Sequence, residues 1–111
     1  MQLTSTAFSE GNGIPKTYSC DGEDISPELS WEDVPAGTES FVLIADDPDA
    51  PGATFVHWVI YDIPGKTRKL QEGYPKQEMD SDGSRQGING FRKIGYGGPC
   101  PPGGTHRYFF K

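Results

Sequence analysis

The sequence lacks any apolar segment long enough to cross a lipid bilayer. A membrane-spanning helix needs about 20 consecutive apolar residues, and charged, proline or glycine residues interrupt every apolar run here. The first five residues, MQLTS, also lack the basic start and apolar centre of a secretory signal peptide. We therefore expect no membrane insertion, and we expect the protein to be cytoplasmic.

Positive charge is scarce. The chain has 10 Lys and Arg residues against 16 Asp and Glu residues, and its net charge is −6. Proteins that bind nucleic acid concentrate Lys and Arg on one surface, because phosphate contacts need cations. Docking on an anionic membrane has the same requirement. The composition therefore argues against nucleic acid and against an anionic membrane surface as main partners.

Cysteine is nearly absent. The chain has two cysteines, Cys20 and Cys100, and no CxxC pair. One disulfide or two free thiols are compatible with that number, and we expect thiols because a reducing compartment keeps cysteines reduced. A zinc site built on thiolates needs more cysteine ligands than the chain supplies. We therefore expect no metal and no cofactor.

No segment shows a helical period of apolar residues. The sequence therefore predicts a mainly β fold with few short helices, in a single domain that spans residues 1–111. The 15 glycines and 10 prolines are scattered among apolar runs and predict turns and loops. Residues 62–98 are predicted to be mostly loop, beginning with a turn over 62–65. The predicted strands are 26–31, 40–45, 54–61 and 106–110.

Residues 46–51, DDPDAP, interrupt an apolar strand with three carboxylates and two prolines. Proline fixes its own φ angle and favours an extended preceding residue, so this stretch is predicted to be stiff and extended. Side chains two apart in an extended chain share a face, which places Asp47 and Asp49 together and Asp46 opposite. An acidic surface turn without a function explains the same residues, and that interpretation stays open.

The chain has two histidines, His57 and His106, and both lie in predicted strands beside Gly/Pro loops. His106 and Tyr108 are two residues apart, which places them on one face of the predicted strand. A neighbouring carboxylate favours the charged form of histidine, and glycine amides in the loop 95–104 would add hydrogen-bond donors. This combination predicts a site for a small anion. Two ordinary hydrogen-bonded strand histidines are the alternative interpretation.

The order of the motifs along the chain is the most specific feature of the sequence. The chain contains YSCDG, ISP and LSW within residues 18–31, DPDAP at 47–51, FVHW at 55–58, GYGGPCPP at 95–102 and HRYFF at 106–110. In these motifs and their order the chain resembles the phosphatidylethanolamine-binding protein (PEBP) family, in its Raf-kinase-inhibitor-like bacterial and archaeal branch. The resemblance covers essentially the whole chain.

The resemblance implies a PEBP-like β-sheet fold with a small anion pocket at one end. It implies that the pocket takes phosphate-bearing headgroups and similar oxyanions, and that Pro51 follows a cis peptide bond. We interpret the two carboxylates of the pocket as setting the charge of the histidines rather than binding the anion. Carried over by position, the ligand-binding residues are Asp47, Asp49, Pro51, His57, Gly98, Pro99, His106 and Tyr108.

The resemblance favours a binding module for a phosphate-like anion or a phosphorylated headgroup, with a kinase or protease as the protein partner that it inhibits. We expect no enzyme activity, since the chain has no G-x-S-x-G frame. An Asp/His hydrolase acting on phosphoesters, with or without a metal, is the alternative. A structural or protein-interaction domain with a vestigial pocket is a third interpretation. The oligomeric state, a dimer included, is left open.

The C-terminus departs from the family pattern. Family members continue past the HRYFF motif with at least one more strand and a C-terminal helical segment, whereas this sequence stops at Lys111. A strand without its neighbour exposes backbone groups and apolar surface. We therefore expect a chain that is truncated or was cleaved after Lys111.

Overall fold

A computed structural model describes residues 1–100 and 107–111. Within them the fold is mainly β, as the sequence predicts, and the helical content is a single 3-10 turn. No helix in this part of the chain is long and apolar enough to cross a membrane. The elements in chain order are β1 (Gln2–Thr4), the 3-10 helix (Lys16–Tyr18), β2 (Leu29–Glu32), β3 (Ser40–Asp47), β4 (Phe55–Pro64), β5 (Lys69–Leu70), β6 (Arg85–Gln86) and β7 (Phe109–Phe110).

The strands form two antiparallel sheets. The smaller sheet has the order β1–β2–β5, and the larger has the order β6–β4–β3–β7. The two long strands β3 and β4 lie at the centre of the larger sheet. Both are rich in aliphatic, β-branched and aromatic residues, which fit a pleated surface that is covered on its faces. The antiparallel β3–β4 pair is therefore the frame on which the rest of the sheet is built.

The apolar core joins the two sheets. Trp31 of β2 packs on Phe41 of β3, with ring centroids 5.4 Å apart. Trp58 and Ile60 of β4 are fully buried, and burying a side chain such as isoleucine stabilises a fold by about 1.5–3 kcal/mol. The buried cluster comprises Leu29, Trp31, Phe41, Leu43, Ala45, Trp58, Ile60, Ile63, Leu70 and Tyr96.

Strand β4 has ten residues against eight in β3, and two bulges account for the difference. In the first, Leu43 pairs with Ile60 and Phe41 with Ile63, so β4 carries one extra residue. Asp62 adopts a left-handed φ of 55° at this bulge, a conformation that Asp tolerates better than most residues. The strand therefore continues through residues 62–64, where the sequence predicted a turn. The predicted turn is wrong because the extra residue forms a bulge within β4, and the strand does not reverse its direction there.

Two other predicted strands are shorter in the structure. β2 begins at Leu29 rather than at Ser26, because Ser26 accepts hydrogen bonds from the loop amides of Gly73 and Tyr74 instead of joining a strand ladder. The last strand was predicted over residues 106–110 but covers Phe109–Phe110 only. Residues 107–108 precede it outside the strand, and His106 lies outside the described residues.

The two cysteines form a disulfide. Cys20 and Cys100 are 80 residues apart in sequence, and their Cα atoms lie 5.4 Å apart. That Cα separation is within the range that a disulfide spans without backbone movement. The expectation of two free thiols is therefore wrong. It rested on an assumed reducing compartment, whereas the pairing follows from the fold, which brings the N-terminal arm against the Gly/Pro segment.

Candidate functional site

A small cavity of about 10 Å³ lies at the end of the larger sheet where β3 ends and β4 begins. Two walls come from the central strands, one from the Gly/Pro segment that follows Gly95, and one from the chain that leads into β7. The lining residues are Ala45, Asp46, His57, Tyr96, Pro99, Tyr108 and Phe110. The structure therefore brings His57, Pro99 and Tyr108, three of the residues predicted for the site, to one cavity.

His57 is the extra residue of the second bulge of β4. Ala45 pairs with Trp58 and Asp46 pairs with Val56, so His57 stands between two pairs without a partner of its own on β3. Bulges interrupt the alternation of faces and re-aim a side chain. This is why His57 and the next residue, Trp58, are both buried.

The ring of His57 is held by a backbone carbonyl. Its Nδ1 lies 2.7 Å from the carbonyl oxygen of Gly97, and the Gly97 amide donates back to the carbonyl of His57. A carbonyl oxygen can only accept, so Nδ1 carries a hydrogen and Nε2 is left for other contacts. The rings of Phe55, Phe91 and Tyr108 surround the imidazole at centroid distances of 4.9, 5.7 and 5.5 Å.

The acidic stretch is a turn rather than a stiff extended segment. β3 continues through Asp47, and the chain then turns at Pro48 and Asp49. The amide of Asp49 donates to Oδ1 of Asp47 over 2.8 Å, which is the Asx-type bond by which an aspartate stabilises a turn. The prediction of an extended stretch beyond Asp47 is wrong, because this local bond competes with the preference of proline for extended neighbours.

Asp49 binds Arg107, a residue that the sequence analysis left out of the site. The guanidinium donates from Nη2 to Oδ1 over 2.8 Å and from Nε to Oδ2 over 2.9 Å, and the backbone amide of Arg107 donates to the same Oδ2. The hydrogen bonds from Arg107 to Asp49 raise the pKa of the guanidinium. Arginine makes such two-point contacts because its planar fork matches a carboxylate.

Asp46 was predicted to face away from the site, and it lines the cavity instead. The bulge at this end breaks the alternation, so that Ala45, Asp46 and Asp47 are all buried. One oxygen of Asp46, Oδ2, accepts a hydrogen bond from Lys111 Nζ over 3.0 Å. The other, Oδ1, is buried and has no hydrogen-bond partner among the described residues. The sequence pattern does not predict that Asp46 lines the cavity, because this position depends on the register between β3 and β4.

Tyr108 is half-buried at the cavity, and its pKa is raised. Burial is the largest cause, and the negative charges of Asp47 and Asp49 add to it. A phenol whose pKa is raised keeps its proton over a wide pH range. Tyr108 is therefore a hydrogen-bond donor at this site.

Gly98 and Pro99 lie where the chain passes closest to the N-terminal arm. The Gly98 amide donates to Oδ1 of Asp24 over 2.7 Å. A Cβ at position 98 would overlap the carbonyl of Tyr18 and the carboxylate of Asp24, so only glycine fits. Pro99 lines the cavity, whereas Gly98, which was also predicted to bind the ligand, is not among the lining residues and has its amide bonded to Asp24.

Tyr96 is a site residue that the sequence analysis missed. Its ring lines the cavity and stands edge-on to Trp58, with centroids 5.8 Å apart, and its hydroxyl donates to the carbonyl of Tyr18 over 2.7 Å. Burial raises the pKa of Tyr96. Its position in a Gly/Pro segment suggested a loop, and the sequence held no cue that the ring is buried.

Pro51 and His106 complete the predicted set. Pro51 is exposed, does not line the cavity and does not follow a cis peptide bond, so the expected cis geometry is wrong for this structure. His106 lies outside the described residues. Within residues 1–100 and 107–111 no group of three or more His, Cys, Asp or Glu side chains is arranged to hold a metal ion.

Relatives of known sequence match the chain over its whole length. The sequence profile of the family described as "Phosphatidylethanolamine-binding protein" matches residues 4–111. A UPF0098 protein from Aquifex aeolicus is 62% identical over 113 residues, which is 100% of this chain and 66% of that relative. A UPF0098 protein from Methanothermobacter thermautotrophicus is 50% identical over 111 residues, which is 100% of this chain and 74% of that relative.

Two crystal structures share the fold. A PEBP homolog from Chlamydia trachomatis superposes with a TM-score of 0.85 at 44% identity, over 97% of this chain and 70% of that chain. Escherichia coli YbcL, described as a new member of the mammalian PEBP family, superposes with a TM-score of 0.88 at 35% identity, over 98% and 73%. The profile match, the identities and the shared fold agree: the chain belongs to the phosphatidylethanolamine-binding protein family.

Proposed function

We propose that the protein binds a small phosphate-like anion, as the free ion or as a phosphomonoester group, at the cavity beside His57 and Tyr108. The observation that carries the proposal is that a phenol and an imidazole line one cavity. Tyr108 donates through its hydroxyl, and His57, whose Nδ1–H is bonded to Gly97, donates through Nε2 when its ring is protonated. The carbonyl of Gly97 orients His57 through Nδ1, and the raised pKa of Tyr108 keeps its hydroxyl proton. Hydrogen bonds to an ionised acceptor are about twice as strong as neutral ones.

The charge balance of the site supports an anion despite the three aspartates around it. Arg107 pairs with Asp49, and Lys111 pairs with Asp46. Each cation offsets a carboxylate that would otherwise repel the ligand. The site therefore combines donors with carboxylates whose charges are partly compensated.

The size of the cavity sets how the anion enters. A volume of about 10 Å³ leaves room for about one water molecule. We propose that one terminal oxygen of the anion occupies the cavity, while the rest of the ligand stays at its mouth. A phosphomonoester fits this arrangement, because its terminal oxygens project away from the ester substituent.

The chemical group is common to a phospholipid headgroup and to a phosphorylated protein side chain. The family description favours a headgroup, and inhibition of a kinase or protease through a phosphorylated residue is the regulatory form of the same proposal. We propose binding without turnover, since the cysteine nearest the cavity, Cys100, is held in a disulfide and is not available as a nucleophile.

Calorimetric titration with inorganic phosphate, phosphoethanolamine and a phosphoserine peptide tests the proposal and separates these sources. Tyr108→Phe removes one donor to a charged ligand, a contact worth about 1.5–3 kcal/mol, so we expect its phosphate affinity to fall by about tenfold or more. Tyr61→Phe is the matched control, because Tyr61 is an exposed residue in the second half of β4, and we expect its affinity to equal that of the unmodified protein. Equal affinities for all three proteins, or release of phosphate from an ester, would contradict the proposal.

Substitution of the imidazole tests the histidine donor separately. His57→Gln keeps a polar side chain but removes the ring that the Gly97 carbonyl orients. We expect its phosphate affinity to fall by about tenfold or more, the loss expected for one donor to a charged ligand. An affinity equal to that of the unmodified protein would remove His57 from the proposed site.

A further inference from the structure

We infer that the Cys20–Cys100 disulfide is a redox-controlled clamp that holds the segment Tyr96–Cys100 in place as a wall of the cavity. Reduction of the disulfide loosens this wall and lowers the anion affinity of the site. The affinity part of the inference rests on the proposed function, whereas the effect on the wall does not. The disulfide joins this wall to residues 18–24, which we call the bracket.

The wall segment is attached residue by residue. Tyr96 donates its hydroxyl to the carbonyl of Tyr18, and the Gly98 amide donates to the carboxylate of Asp24. The carbonyl of Pro99 accepts from the amide of Cys20 over 3.1 Å. Three hydrogen bonds, at Tyr96, Gly98 and Pro99, therefore lead to the bracket, and the disulfide at Cys100 adds a covalent attachment.

Gly97 is the point where the wall meets the larger sheet. Its amide and carbonyl both bond to His57, so a displacement of the wall acts directly on the histidine that is proposed to bind the anion. Pro99, two residues further on, lines the cavity itself. The position of the wall thus sets both the orientation of His57 and the shape of the cavity.

The disulfide is accessible while the wall is not. Cys20 and Cys100 are both exposed, whereas Tyr96, Gly97 and Gly98 are buried. Thiol–disulfide exchange requires that a thiolate reach one of the two sulfur atoms. A small dithiol can therefore reduce the bond without first opening the site.

The exchange is balanced with a dithiol as the reductant. One thiolate of the dithiol attacks a sulfur of the disulfide, which breaks the Cys20–Cys100 bond and forms a mixed disulfide. The second thiolate of the dithiol then displaces the remaining cysteine and closes an oxidised cyclic product. Two electrons pass to the protein, and two protons convert Cys20 and Cys100 to thiols.

After reduction only hydrogen bonds attach the wall to the bracket. The disulfide ties together residues 80 positions apart in sequence, and without it each hydrogen bond opens more readily, because the covalent tie no longer limits the separation of the two segments. If the assembled wall is populated for a smaller fraction of the time, the apparent affinity falls by that fraction. We expect the protein to stay folded, since Tyr96 is the one member of the buried cluster that belongs to the wall and the others lie in β2 to β5.

Hydrogen-exchange rates of single backbone amides measure how firmly the wall is attached, and they need no ligand. We expect the Gly98 amide, which bonds to Asp24, to exchange about fivefold faster or more when the protein is treated with a dithiol, a shift within the usual range of couplings between sites. The Gly87 amide bonds to Val59 at the far side of β4 and serves as the internal reference, with no change expected. An unchanged Gly98 rate, or a Gly87 rate that rises equally, overturns the clamp.

Titration of inorganic phosphate into the oxidised and the reduced protein tests the affinity part. We expect the reduced protein to bind phosphate more weakly than the oxidised protein, by about fivefold or more. A Gly98 amide that exchanges faster while phosphate affinity stays the same overturns the control of binding. If the oxidised protein binds no phosphate, the proposed function fails, and the exchange rates alone then decide the clamp.

The double variant Cys20→Ser/Cys100→Ser separates reduction of this bond from other effects of the dithiol. We expect its Gly98 exchange rate and its phosphate affinity to match those of the reduced protein, with no further change on addition of the dithiol. A double variant that behaves like the oxidised protein, or one that still responds to the dithiol, contradicts the inference.

Discussion

At the scale of single residues, three aspartates within four positions have three different environments. Asp46 pairs with Lys111, Asp47 accepts from the following turn, and Asp49 holds Arg107. The two cations are exposed, with 68% of the Arg107 and 60% of the Lys111 side chain accessible. The Arg107–Asp49 pair is open to solvent and contributes little to stability, so its main effect is on the local charge of the site. Lys111 also compensates the buried carboxylate of Asp46.

The electrostatic link from Asp47 to Tyr108 yields a prediction at the same scale. Asp47→Asn removes a negative charge that raises the pKa of Tyr108, so we expect that pKa to move down towards the ordinary value of about 10. Part of the upward shift remains, because burial is its largest cause. NMR or ultraviolet titration of Tyr108 measures the change.

Asp62→Asn is the matched control for that titration. Asp62 is exposed in β4 and adopts a left-handed φ, which Asn tolerates equally well. We expect no change in the pKa of Tyr108 in this variant. A Tyr108 pKa that is unaffected by Asp47→Asn, or lowered as much by Asp62→Asn, would show that Asp47 does not act on the phenol.

At the scale of elements, β4 serves both the core and the site. Its two bulges let ten residues pair with eight, and the bulge near the site carries His57. Between the bulges the strand is regular and buries Trp58 and Ile60 completely. The irregularity is thus confined to the ends of the strand, and the rigid centre positions the histidine.

The contrast between the buried centre of β4 and an exposed position of β3 can be measured. Ile60→Ala removes a fully buried side chain, and such substitutions cost about 2–5 kcal/mol through lost burial and the cavity that remains. Val42→Ala on the neighbouring strand removes a side chain that is 58% exposed, and we expect a change within about 0.5 kcal/mol. Chemical denaturation gives both values, and similar losses for the two variants would contradict the assignment of the core.

Strand centres were predictable from the sequence, and strand ends were not. The runs 40–45 and 54–61 lie inside β3 and β4, because aliphatic and β-branched residues favour strands wherever they are buried. The continuation through Asp62 and the shortening at Ser26 depend on which partner each backbone group meets. Such partners are remote in sequence, and local patterns do not report them.

At the scale of the whole molecule, buried tyrosines set the response to alkaline pH. Burial raises the pKa of Tyr74 to about 12 and also raises the pKa of Tyr96 and of Tyr108, and a hydrogen bond to Glu72 raises the pKa of Tyr18. In the unfolded chain these phenols ionise near pH 10. The folded protein therefore binds more protons than the unfolded chain above that pH, and the free energy of unfolding must fall as the pH rises further.

We expect stability to be insensitive to these tyrosines below about pH 9 and to decline above about pH 10, by up to about 1.4 kcal/mol per pH unit for each tyrosine that stays neutral in the fold. Urea denaturation between pH 8 and pH 12 measures this decline. Tyr74→Phe removes one of the four groups, so its slope above pH 10 should be shallower. A slope that is equal in both proteins would mean that Tyr74 ionises freely in the folded state.

The sequence by itself determined the family and the mainly β class, and it singled out His57, Pro99 and Tyr108, which the structure brings to one cavity. These follow from motif order and from local preferences, which neighbouring residues encode. Only the tertiary structure decided that Arg107 meets Asp49, that Asp46 enters the cavity and that Cys20 joins Cys100. Each of these contacts depends on the register of β3 and β4 or on the path of a distant segment, and register is a property of the paired chain rather than of either strand alone.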